Sequence, residues 1–122
     1  MATESEKLKN RAKTANESIN TSLGRDLSEA TRRKSDPANP QALDAEVIYD
    51  RVSTLLIDNA IAQFNGISDT APVRAAIDQV SQSAKDLKRE SKRIADLAED
   101  LDRWTSRIDM TETVIGKLKD LA

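Results

Sequence analysis

Any chemistry in this chain has to come from carboxylates, lysines and arginines, because its 122 residues include no His and no Cys. Without an imidazole or a thiol there is no Ser–His or Cys–His pair to activate a nucleophile, and no disulfide. No glycine-rich phosphate loop is present. The densest acidic run is Asp96, Glu99, Asp100 and Asp102. Metal centres in helical proteins place Glu and His inward from facing helices. Here Asp96, Glu99 and Asp100 fall on the outer side of a helical wheel, and only Asp102 leaves that line. No metal, no cofactor and no catalytic residue is expected, so the chain is read as non-enzymatic.

The basic residues Lys85, Lys88, Arg89, Lys92 and Arg93 recur at helical spacing and form a stripe that could meet phosphates or anionic lipid headgroups. Asp96, Glu99, Asp100, Arg103 and Arg107 continue the same line with mixed sign. Lys92 with Asp96, and Glu99 with Arg103, are i,i+4 pairs of a solvated face. The stripe has no aromatic beside it, and the formal net charge is −2. The bland reading is preferred, with nucleic acid and membrane not the expected partners. Charge is unevenly spread: residues 1–34 carry eight basic and five acidic side chains, and residues 35–69 carry one and six. That asymmetry favours packing of the first two segments on each other.

The elements that would carry these groups are all helical. Gly and Pro number three each and aromatics make up 2%, too few for a turn-rich β protein. Thr3-Glu4-Ser5-Glu6 is a capping box opening a first helix over about 4–33. Its stripe is narrow and alanine-rich: Leu8, Ala12, Ala15, Ile19, Leu23, Leu27 and Ala30. Gly24 is a weak point that leaves the phase intact, and Arg32-Arg33-Lys34 suits the negative end of the helix dipole. A linker at 35–39 follows. Asn39 and Pro40 predict the start of a second helix over about 40–65. Ala45, Ile48, Tyr49, Val52, Leu55 and Leu56 form one face. Ile57, Ala60, Ile61 and Ala62 widen the apolar arc, which predicts residues 55–64 as the centre of the core.

Phe64-Asn65-Gly66 between two helices is similar to the Trp-x-Gly turn of a family of small secreted helical-hairpin proteins, with Phe in place of Trp. That family's export signal, a Tyr four residues before an acid, is missing, since Ser53 stands four residues after Tyr49. No family is assigned on three residues. The likeness implies an alternative, a secreted or membrane-active hairpin.

Asp69 or Thr70 as N-cap, with Pro72 in the first turn, opens a third helix expected to run unbroken over about 71–121, with a kink at Asp109–Glu112 left open. Val73, Val80, Leu87, Ile94, Leu101, Ile108 and Ile115 recur every seventh residue. Ala76, Leu97, Trp104 and Leu118 occupy the partner position, which Ser83, Glu90 and Thr111 interrupt. This is a coiled-coil seam. The expected fold is therefore all-α: a three-helix antiparallel bundle, one domain over 1–122, with one long coiled-coil-like C-terminal helix. A straight second helix would cover that seam only to about residue 96. Leu97, Leu101, Trp104, Ile108, Ile115 and Leu118 then need a partner. Asp86 and Arg93 facing Arg107 and Asp100 of a second copy would favour an antiparallel homodimer, with another helical protein as the rival.

The functional expectation is a helical protein–protein interaction module: an adaptor, chaperone, inhibitor or structural subunit that assembles with itself or with a helical partner. The alternatives are the secreted or membrane-active hairpin and a nucleic-acid binder acting through Lys85–Arg93. The polar start of the chain and the lack of an apolar span suggest a cytoplasmic protein. Export by a route that needs no signal peptide stays open.

Overall fold

The computed structural model describes residues 3–121; Met1, Ala2 and Ala122, which the single-domain reading included, lie outside the described residues. The described chain is all-helical, 82% helix with no strand. Its four long helices are α1 (Glu4–Lys34), α2 (Ala42–Ala60), α3 (Ala71–Glu90) and α5 (Leu101–Leu121), with the single turn α4 (Ile94–Leu97) between the last two.

The capping box forms as its residues dictate. The Thr3 hydroxyl accepts from the Glu6 amide at 3.1 Å, and the Glu6 carboxylate accepts from the Thr3 amide at 3.2 Å. α1 then runs unbroken through Gly24. Its predicted stripe is buried except for Leu27, which is half-buried. α2 starts two residues later than expected. Asn39 uses its side-chain oxygen on the Gln41 amide at 2.9 Å, so Pro40 stays in the turn and helical geometry begins at Ala42. The helix returns antiparallel to α1. Asn59 donates to the Asn20 side chain at 2.8 Å near one end, while the Lys34 ammonium lies 3.9 Å over the Tyr49 ring near the other.

α2 also ends earlier than expected, at Ala60. Asn16 of α1 donates to the Asn59 carbonyl at 3.1 Å, meeting an acceptor of the last turn. The freed segment 61–70 turns Phe64 inward, where the ring is buried. Thr70 caps α3, accepting from the Val73 amide at 3.3 Å. α3 then runs parallel to α1: Arg11 meets Asp78 at 2.6 Å, and further along both helices Arg25 meets Ser91 at 2.7 Å.

The long third helix does not form. After Glu90 the backbone tightens into a 3-10 turn at Ser91–Arg93, Arg93 departs from helical geometry at φ −112° and ψ 31°, and α5 starts afresh at Leu101. The elbow is held by groups that a straight helix would not use. Ser91 donates to the Lys88 carbonyl at 2.5 Å, and Arg25 reaches the same carbonyl at 3.2 Å. Arg33 donates to the Ala95 carbonyl at 3.1 Å. Asp100 caps α5, accepting from the Asp102 and Arg103 amides at 3.1 and 3.3 Å. Each satisfies a backbone group that the break exposes. α5 itself runs through Asp109–Glu112 as continuous helix.

Folded back, α5 lies antiparallel to α3, with Arg107 3.5 Å from Glu90 and Lys117 3.3 Å from Gln79. It lies parallel to α2, with Arg51 2.6 Å from Asp109 and 3.1 Å from Glu112. Round the core the order is α1, α2, α5, α3. The segment 61–70 therefore crosses a diagonal, and Phe64 closes that end. α1 and α5 meet across the other diagonal. The alanines of α1 are what let three helices approach it closely.

This arrangement corrects two expectations. Trp104, Ile108, Ile115 and Leu118 are buried in the chain's own core, so the seam is covered without a second chain. A straight third helix would have left this half of the seam uncovered; the hairpin brings it back onto the core. Nor is 55–64 uniformly central: Leu55, Asn59 and Phe64 are inside, but Ile57, Ala60 and Ile61 are outside.

Candidate interaction surface

The outward face of α2, continued by its C-cap Ile61, carries four of the five large apolar side chains exposed among the described residues; the fifth is Met110 of α5. Leu43 is 79% exposed, Val47 67%, Ile57 66% and Ile61 65%. With Asp50 and Thr54, also exposed, they form a series spaced 4, 3, 4, 3 and 4 residues apart. At 3.6 residues per turn the six positions lie within about 80° of arc. This is the spacing of a coiled-coil seam: an apolar pair, a polar pair and an apolar pair over about five turns. The inner face of the same helix, Ala45, Ile48, Val52 and Leu55, is already packed. α2 is thus apolar on two sides, and the chain fills one.

The flanks of this face are acidic. Glu46 borders one edge; Asp44 and Asp58 border the other, with Arg51 between them. Arg51 is engaged by Asp109 and Glu112, whose hydrogen bonds raise the pKa of its guanidinium against the effect of burial. Asp58 lies 4.0 Å from Lys119. A groove of about 390 Å³ between α2 and α5 runs along this edge, lined by Arg51, Thr54, Asp58, Glu112, Gly116 and Lys119 among others. Gly116 lies on its wall, where a Cβ would meet nothing within 4 Å.

A second cluster is internal. Asp26 of α1 accepts from the Arg107 Nε at 3.1 Å and from the Trp104 indole nitrogen at 3.2 Å, both through one carboxylate oxygen. Arg107 also donates to the Ser22 hydroxyl. The other Asp26 oxygen and the Arg107 Nη1 make no hydrogen bond, although Nη1 lies 3.5 Å from the Glu90 carboxylate. Burial pushes the Asp26 carboxyl above the usual range, while Arg107 and Trp104 pull it down. With Ser22 and Asp26 from α1 and Trp104 and Arg107 from α5, all four buried, the cluster joins α1 to α5 and fixes their register.

The residues expected to face a partner are divided by the fold. Trp104, Ile108, Ile115 and Leu118 belong to the core, and Leu97 and Leu101 are half-buried at the elbow. Arg93 and Asp100 are exposed. Asp100 serves as a helix cap, and Arg107, expected to meet a second chain, is buried on Asp26. Glu90, which interrupts the seam, faces Arg107 of α5 at 3.5 Å. Lys85, Lys88, Arg89, Lys92 and Arg93 are exposed, with Arg89 held by Asp86 at 2.9 Å. Among the described residues no three carboxylates converge on a metal position, and no helix is long and apolar enough to cross a membrane. The α2 surface was missed because its apolar residues were read as one wide arc. The available signal was a second stripe at heptad spacing. No protein-family model matches the chain, and no curated protein or solved structure matches it.

Proposed function

We propose that the chain is a non-enzymatic helical interaction module, and that it docks a helix of its partner on the outer face of α2. The observation that carries this reading is the exposed series from Leu43 to Ile61, regular in spacing and at least 65% exposed at each apolar position. At roughly 1.5–3 kcal/mol for each complete burial, covering the exposed two-thirds or so of four such side chains yields about 4–8 kcal/mol. A partner stripe of equal size doubles that, against an association cost of about 4–15 kcal/mol. The balance suits a reversible complex.

Photo-crosslinking in the cell that makes the protein tests the reading. A benzophenone side chain at Val47 or Ile57 is expected to capture one defined protein, and the same group at Lys88 is expected to capture none. Absence of an adduct at both α2 positions, or equal capture at Lys88, overturns it.

A further inference from the structure

We infer that the occupant of the α2 face is a cationic amphipathic helix of another protein, paired along the 43–61 stripe. This rests on the docking reading above and adds the partner's chemistry. Around the stripe stand six carboxylates (Asp44, Glu46, Asp50, Asp58, Asp109 and Glu112) against two cations, Arg51 and Lys119. Both cations are already within ion-pair distance of carboxylates of this chain. An approaching surface therefore meets apolar groups bordered by surplus negative charge.

That border rejects several occupants. Nucleic acid and anionic bilayers carry the same sign. A second copy of this chain is rejected in either direction. Paired in parallel and in register, Asp50 faces Asp50 of the second copy inside the seam. Paired antiparallel, the stripe matches itself, Leu43 to Ile61 and Val47 to Ile57, but its edges then set Asp44 near Asp58 and Arg51 near Arg51. Like charges at these positions select against a pairing. A helix with Lys or Arg beside its apolar stripe satisfies both the spacing and the sign, and a basic residue opposite Asp50 answers the polar layer at the centre.

The probe is a synthetic helix of about three heptads with Leu and Ile at the seam positions and Lys at every flanking position. Its control has Glu in place of each Lys. Like-charged flanks keep either peptide from pairing with itself. Binding to the full chain is read by fluorescence anisotropy at low and at high ionic strength. The Lys peptide is expected to bind, more weakly as salt rises, and the Glu peptide to bind at least about tenfold less tightly. Val47→Asp with Ile57→Asp should weaken the Lys peptide about a hundredfold with helicity and Tm unchanged, since both positions face solvent. Glu46→Gln with Asp50→Asn and Asp58→Asn should weaken it about tenfold and flatten the salt dependence. Equal binding of both peptides, lost in the Val47/Ile57 variant, would overturn the charge assignment and leave the docking reading standing. Failure of both peptides to bind would overturn both readings. Sedimentation showing a dimer of the chain that the Val47/Ile57 variant abolishes would make the occupant a second copy and defeat the inference.

Discussion

Replacing Arg107 with Met tests how the two halves of the molecule are joined. The guanidinium supplies the charge that offsets Asp26, at 3.1 Å and with both side chains almost fully buried. Without it the carboxylate keeps a single hydrogen bond, from the Trp104 indole at 3.2 Å. Removing one partner of a buried ion pair costs about 3–5 kcal/mol, because the other charge stays desolvated. A chain of this size has about 5–15 kcal/mol of stability in total, so the variant should stay folded with a much lower urea midpoint at neutral pH. Acid should rescue it. Asp26 already binds its proton more tightly in the folded state than in the unfolded one, since burial raises its pKa. Loss of Arg107 raises it further. A carboxyl of this kind costs stability above its folded pKa, and the cost falls away as pH drops toward its unfolded pKa. The gap between Arg107→Met and the parent, measured by urea titration with circular dichroism, should therefore narrow as pH is lowered from neutral to about 4. The double variant Asp26→Asn with Arg107→Met should recover more than half of the neutral-pH loss. A cost below about 1 kcal/mol at neutral pH, or one independent of pH, would refute the assignment of Arg107 and Asp26 as a buried, coupled pair.

Three further outcomes separate this fold from a straight-helix alternative. Leu118→Ala should cost about 2–5 kcal/mol while Ile61→Ala costs less than about 1, because Leu118 is buried and Ile61 is mostly exposed; equal losses in a denaturant titration would contradict the placement of α2. Trp104→Asp should unfold the chain and not merely dissociate an oligomer, since the indole is buried within its own fold; a stable, fully helical Trp104→Asp monomer would count against the hairpin. Asp100→Ala should lower stability by about 0.5–2 kcal/mol through loss of the α5 cap, and no change in Tm would mean that the helix does not begin there.

The elbow at 91–100 decides more than the path of the chain. If the heptad seam continued straight, half of it would face water. Folding it back lets one chain bury Trp104, Ile108 and Leu118 against α1 and α2. The unpartnered apolar surface then lies on a different helix, α2, with a different charge border. Any account of what the protein binds changes with it.

Helical class and the starts of α1 and α3 were legible from local chemistry. The capping box at Thr3–Glu6, the alanine-rich stripe of α1 and the Thr70–Pro72 start of α3 depend on residues within one or two turns, and all three appear where their types and spacing place them. Which apolar residues would meet was not legible. Periodicity marks a stripe as needing cover, but it does not say whether the cover is another part of the chain or another molecule. Val73 to Leu118 reads as one seam because a break of a few residues leaves the phase of the flanking residues nearly unchanged. Asp100 was visible only as a charge, although with Asp102 it also spells a helix start. The break became favourable through groups distant in sequence: Arg25 and Arg33 of α1 catch carbonyls at 88 and 95, and Asp26 holds Trp104 and Arg107. Those contacts exist only once the helices are packed. Tertiary structure alone decided that the C-terminal seam turns inward and that the second stripe of α2 is left facing out.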